Sequence, residues 1–191
     1  YLLHQVTIWD NSTIQEWSGI AGKASIWDNS TIEEKCGISG ETSIWDHSTI
    51  KKWRWIGTKA SIWDNCLIEA NVSLWATIWD NCLIEKGATL ESEVTIWDNC
   101  LIEKGATLES EVTIWDNSTI KEWCWIEYKA SIWDNCLIKE WCEIDVGTTV
   151  WKGSNLWMHS TVAYNVVIKE NVTLWNYVKI QGPETIIGKK S

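Results

Sequence analysis

The sequence has no phenylalanine, one proline, one methionine and three histidines in 191 residues. No run of 18 apolar residues occurs, so no membrane-spanning helix is expected, and no signal-peptide pattern is visible. Basic residues are scarce. Sixteen Lys and Arg stand against 26 Asp and Glu, a formal net charge of −10. That balance disfavours nucleic acid or an anionic membrane as partner, since both need basic patches. No 3.6-residue period appears, which excludes an amphipathic helical fold. No GxSxG, phosphate loop or nucleophile triad is present, and no cofactor is expected. The seven cysteines lack CxxC spacing. Their odd number argues against a closed disulfide framework or zinc site, so buried thiols in a reducing compartment, the cytoplasm, are expected. The chain opens at Tyr1, without Met and already in repeat phase, and so reads as a processed product, a trimmed form or a fragment.

What is present is repetition. "TIWDNCLIEKGATLESEV" occupies 77–94 and, letter for letter, 95–112. "IWD" begins at Ile8, Ile26, Ile44, Ile62, Ile78, Ile96, Ile114 and Ile132, in steps of 18 with one step of 16. The near-identity of the repeats and the aromatic skew, 18 Trp against 4 Tyr, point to recent duplication or to consensus engineering. Within each eighteen, every sixth residue is aliphatic: from Leu2 through Ile8 and Ile14 to Leu74, then, after a two-residue slip between 74 and 78, from Ile78 to Ile186. Two residues before each key position sits a small residue such as Ser12, Ala24, Cys66 or Val72. Positions two apart share a face of a strand. Each hexad therefore supplies a short strand with one large and one small inward residue, then a polar turn. Three strands close a triangular coil of 18 residues, and stacked coils pair in register.

Hexads such as "IWDNCLI" resemble the "IGDNCVI" type of the hexapeptide-repeat superfamily, which includes bacterial acyltransferases, γ-class carbonic anhydrases and the C-terminal domains of sugar nucleotidyltransferases. The resemblance covers nearly the whole chain and departs from the family where Trp replaces Gly. It implies an all-β, single left-handed parallel β-helix over 1–191, of about 10 coils, with a more diverged part at 145–191. At roughly 4.8 Å per coil such a rod is about 50 Å long. The phase slip is expected to tighten one corner rather than create a loop.

Register turns each repeat position into a column. Trp9, Trp27, Trp45, Trp63, Trp79, Trp97, Trp115, Trp133 and Trp151 form one at a corner. It is read as a stabilising stack, with an aromatic track for a sugar or flat ligand as the functional alternative. Asp10, Asp28, Asp46, Asp64, Asp80, Asp98, Asp116 and Asp134 run beside it. Each carboxylate is expected to cap its own turn, while Ca²⁺ between Asp64, Asp80, Asp98 and Asp116 is the sharper alternative. The next column is Asn, with His47 in one rung, and is expected to form an amide ladder. The glycosylation sequons at 11, 29, 71, 117 and 171 are read as by-products of structural asparagines. Arg54 breaks the small inward series beside Trp53 and Trp55 and is expected to escape by bulging.

Acyltransferases of the superfamily, by resemblance, use a His and an inserted loop; this sequence has no insertion. His159, in "NLWMHSTV", is the candidate general base, against its reading as a polar turn residue. The leading reading is a non-catalytic, self-associating scaffold. A stripe of Leu67, Leu83, Leu101 and Leu137 points outward and marks an interface, and the resemblance implies lateral trimers. Neither end reads as capped, although Lys189 and Lys190 blunt the C-terminal one, so end-to-end stacking is a second arrangement. The alternatives are an acyltransferase-type enzyme and an ice-binding protein, the latter suggested by the hydroxyl column Thr7, Ser25, Ser43, Ser61, Thr77, Thr95, Thr113, Ser131 and Thr149.

Overall fold

The computed structural model describes residues 2–4, 6–51, 55–69, 72–182 and 186–187. Among the described residues the regular secondary structure is entirely β: thirty strands, most of them two residues long, such as Thr95–Ile96 and Leu101–Ile102. All pairings are parallel and nearly all join residues 18 apart: Leu83 faces Leu101, Leu101 faces Thr119, and Ile96 faces Ile114. Three strands complete one turn of 18 residues, and the chain winds through about nine turns of a parallel β-solenoid.

Alternation explains the choice of residues. The aliphatic key residue of each hexad points inward, and Ile26, Ile44, Ile62, Ile78, Ile96, Ile114 and Ile132 are all fully buried. Full burial of such a side chain contributes about 1.5–3 kcal/mol. The corners need a residue with positive φ, and at the corner beyond Trp-Asp that residue is Asn or His47, with φ between 57° and 59° at all eight positions. Asn tolerates this region far better than β-branched residues do. The left-handed residue reverses the direction of hydrogen bonding. In the strands, N–H groups point to the preceding turn, as Trp97 N–H to the Ile78 carbonyl at 2.8 Å. At the corner, Asn81 N–H points to the following turn and donates to the Asp98 carbonyl at 3.0 Å. An amide ladder was the sequence expectation for Asn; among the described residues the asparagine side chains of this corner are exposed and the column acts through its backbone.

The small inward residues do more than save space. At the Trp corner, Cys66, Cys82, Cys100 and Cys136 each donate Sγ–H to the carbonyl of a Trp one turn back, at 3.1–3.3 Å. Ser30, Ser118 and Ser154 make the same bond through Oγ, at 3.0–3.3 Å. Ser118 and Ser154 also accept from the backbone N–H of Cys100 and Cys136. Cys and Ser are thus interchangeable here because both are compact donors. All seven cysteines are buried thiols, and burial pushes the Cys136 thiol up to about 12.

The two-residue slip removes a corner. Ser73–Ile78 runs as one straight strand with alternating half-buried and buried residues, paired to Trp55–Ile62. Ile56 faces Leu74 and Ala60 faces Ala76, so Gly57, Thr58 and Lys59 stand opposite Trp75 alone. An even slip preserves which face each side chain takes, and register resumes at once, with Leu67 facing Leu83. The expectations for Trp53, Arg54, Asn71, Lys189 and Lys190 fall outside the described residues.

The donor role of the small residues is testable at Cys100. Cys100→Ser keeps a donor for the Trp79 carbonyl and is expected to hold Tm within about 2 °C of the parent. Cys100→Ala strands that carbonyl at a cost of about 1 kcal/mol, lowering Tm by about 2–4 °C in calorimetry. A larger loss for Ser than for Ala would contradict the role.

Candidate functional site

The residues that carry any function here are outward ones, and the corners concentrate them. Each Trp of the IWD motif follows an inward Ile, fully buried in every motif but the first, so it must leave the barrel just where the chain turns. The nine rings form one uninterrupted stack, from Trp9–Trp27, with centroids 6.1 Å apart, to Trp133–Trp151 at 4.5 Å. Between Trp45 and Trp97 the planes lie within 3° of parallel. Each such contact contributes about 0.5–1.5 kcal/mol beyond area burial. Stacking consumes the ring faces. An interior rung such as Trp79 shows a ligand only its edge, so of the column only an end ring such as Trp9, 69% exposed, offers a face. Trp151, the last ring, has its outer face covered by the Lys169 ammonium at 4.8 Å. The Nε1 atoms of Trp45, Trp63, Trp79, Trp97 and Trp151 are buried without an acceptor. These rings are therefore held by stacking and burial, not by their N–H groups.

The Asp column runs alongside. Four of its carboxylates bond across turns where caps on their own turns were expected. Asp64 Oδ1 accepts from the Asp80 N–H at 3.2 Å, Asp80 from Asp98 at 3.1 Å, Asp98 from Asp116 at 3.2 Å and Asp116 from Asp134 at 3.1 Å. The bond thus crosses between turns: the Asp N–H still points back to the preceding turn, and the Asn and Cys N–H groups that follow it point forward, out of reach of their own turn's carboxylate. Lys152 closes the column with an ion pair to Asp134 at 3.3 Å. Burial holds the Asp64 and Asp98 carboxyls above the ordinary carboxylate range. The flanking aspartates add to this and the accepted N–H opposes it. Among the described residues no group of three or more His, Cys, Asp or Glu side chains converges as a metal site, and Asp64, Asp80, Asp98 and Asp116 lie in file.

A second aromatic stack, which the sequence reading missed, occupies the next corner. Trp123, Trp141, His159 and Tyr177 stack in succession at 5.1, 4.4 and 5.3 Å. All four have positive φ, between 61° and 66°, which is uncommon for bulky residues. Trp123 and Tyr177 are 60% and 75% exposed. The candidate base His159 is a rung of this stack, sandwiched between Trp141 and Tyr177, and it makes no hydrogen bond to another side chain among the described residues. No orienting partner for a general base is therefore in place. The second stack escaped notice because its members differ in type and occupy a position that Lys35, Gly87 and Gly105 fill in other turns.

On the flat faces, Leu67, Leu83 and Leu101 are register neighbours, half-buried at outward positions, and Leu137 comes next after Thr119. The hydroxyl column is likewise in register on the face before the Trp corner. Charged residues pair between turns: Lys51 with Glu33 at 3.0 Å, Lys129 with Glu111 at 3.4 Å and Lys23 with Glu41 at 3.2 Å.

No protein-family model matches the chain, and no curated protein sequence is similar to it. Among solved structures, a trypsin-treated variant of QnrB1, a plasmid-mediated fluoroquinolone resistance protein, aligns with 95% of this chain and 90% of its own. Identity is 12% and the TM-score 0.38, a likeness too slight to bear on function. By its own geometry the chain is a repeat β-solenoid.

The Asp column yields a signed prediction. A carboxyl with a raised folded-state pKa favours the folded state most at low pH, and that contribution is lost as pH rises through its titration. At pH 7 the charge of Asp98 therefore opposes folding. Asp98→Asn keeps an oxygen for the Asp116 N–H and removes repulsion of roughly 1 kcal/mol per neighbour. Its Tm at pH 7 is expected to rise by about 2–4 °C, with the gain shrinking at pH 4. A lower Tm at pH 7 would show instead that the charge itself is stabilising, as a bound cation would make it.

Proposed function

We propose that the chain is a non-catalytic rigid rod that acts as a scaffold by associating laterally with copies of itself. The observation that carries this reading is the run of Leu67, Leu83 and Leu101 at outward positions on three successive turns, with Leu137 farther along. Other turns of the same face place Thr13, Thr31, Thr49 and Thr119 there. Leucine at these positions adds nothing to the buried core, which the adjacent Ile68, Ile84 and Ile102 already fill. A contiguous apolar stripe on an otherwise charged monomer usually marks an interface. The continuous ladders support rigidity, since each turn is hydrogen-bonded to both neighbours. The family resemblance of the hexads favours trimers of parallel prisms. Seven buried thiols suit a reducing compartment such as the cytoplasm.

One observation favours a second reading, ice binding. The Ser and Thr hydroxyl column is in register over many turns, and regular rows of hydroxyls suit an ordered water surface. The Trp stack beside it makes that face less flat than such a role requires. Thermal hysteresis above that of a control protein is its test.

Sedimentation tests the scaffold reading. The triple variant Leu67→Thr, Leu83→Thr, Leu101→Thr copies the neighbouring turns and is expected to fold. The parent should sediment as an oligomer and the variant as a monomer at the same concentration. Two monomers, or two identical oligomers, would remove the leucine stripe from the interface.

A further inference from the structure

The second aromatic stack is unfinished. Along its corner the left-handed position holds Gly87, Gly105, Trp123, Trp141, His159 and Tyr177 on successive turns. Trp123 lays one ring face against Trp141, with planes 3° apart. Its other face looks down the column toward Gly105. A Cβ added at Gly105 would meet nothing within 4 Å. The missing rungs leave a recess of about 460 Å³ walled by Trp123, Gly105, Gly87, Lys104 and Lys86.

The charges that line this recess are both positive. Lys86 and Lys104 occupy the same position on adjacent turns, so their amines are neighbours of like sign. Neither has a carboxylate within 4.0 Å among the described residues. Six other lysines have one, while Lys35, Lys139 and Lys169 lie over aromatic rings instead. In a chain of net charge −10, two unpaired ammonium groups flank the open face of an exposed indole. The flat face selects a planar ring and the ammonium pair selects a negative group on it.

We propose that this recess binds a small planar aromatic anion. Its ring takes the vacant rung at Gly105 and stacks on Trp123, and its acidic group lies between the Lys86 and Lys104 ammonium groups. The rungs above stand 4.4–5.3 Å apart, so one ring fills one rung and the second vacant rung, at Gly87, admits substituents. The recess is open to solvent, and the affinity expected for a ligand of about a dozen heavy atoms is on the order of 1 mM.

The probe is 2-naphthoate, titrated into the full chain at low salt and followed by ligand-observed NMR. 2-Naphthalenemethanol serves as the uncharged aromatic and cyclohexanecarboxylate as the non-aromatic anion. Naphthoate is expected to bind saturably, and each control to bind at least about 5-fold more weakly. Gly105→Trp places an indole in the vacant rung, in a backbone conformation that Trp123 and Trp141 already adopt. It is expected to keep or raise Tm and to abolish naphthoate binding. The double variant Lys86→Gln, Lys104→Gln alters only exposed side chains and is expected to reduce naphthoate to the level of the alcohol. No saturable binding below about 10 mM, equal binding by the parent and Gly105→Trp, or equal affinity for acid and alcohol would each overturn the proposal.

Discussion

A strand of two residues has no stability of its own, so each strand here exists only because equivalent strands one turn before and one turn after hydrogen-bond to it. Register at 18 residues is therefore the constraint that governs the whole rod. It places Ile over Ile in the core, sets a left-handed residue at each corner, and makes the N–H of a left-handed residue such as Asn99 point forward while strand N–H groups point back. The one departure, the 16-residue step between Ile62 and Ile78, is even. It costs a corner and leaves every side chain on its own face, which is why Trp79 still stacks on Trp63 at 4.8 Å.

Register also multiplies every side-chain choice, for better or worse. A Trp at the corner meets another Trp on each side, and the gain repeats along the rod. An Asp there meets an Asp on each side, and the repulsion repeats as well. The structure offsets the second effect locally: Asp64, Asp80, Asp98 and Asp116 each accept the N–H of the next turn, and Lys152 neutralises the end of the column. Outward Glu and Lys avoid the problem by alternating between turns, as in Lys23, Glu41 and Lys59. Like charges do meet at Glu91 and Glu109 and at Lys86 and Lys104, and the second pair borders the recess at Trp123.

The sequence made the solenoid legible because the aliphatic period of six and the repeat of eighteen are both consequences of register. The Trp column was legible for the same reason, whereas the slip was expected to tighten a corner and instead replaces it with the continuous strand Ser73–Ile78. Less legible was anything that depends on which way a backbone group points. Nothing in the string of letters shows that the asparagines turn their N–H groups forward, that Asp98 accepts the Asp116 N–H of the following turn, or that cysteines are placed as donors to Trp carbonyls. The second stack was hidden for a different reason. Trp123, Trp141, His159 and Tyr177 are not alike as letters and become alike only as flat rings in one file.

If turns are interchangeable modules and parity of register decides folding, the duplicated eighteen residues allow a direct test. Deleting 95–112 removes one whole turn and joins Val94 to Thr113 in phase. Deleting 95–111 removes one residue fewer and turns every later side chain to the opposite face, Ile outward and Trp inward. Thermal unfolding followed by circular dichroism compares the two. The 18-residue deletion is expected to unfold cooperatively within about 5 °C of the parent, since one turn of a near-additive array is lost. The 17-residue deletion is expected to lose the cooperative transition or to shift it down by more than about 10 °C. Equal stability of the two deletions would contradict the primacy of register.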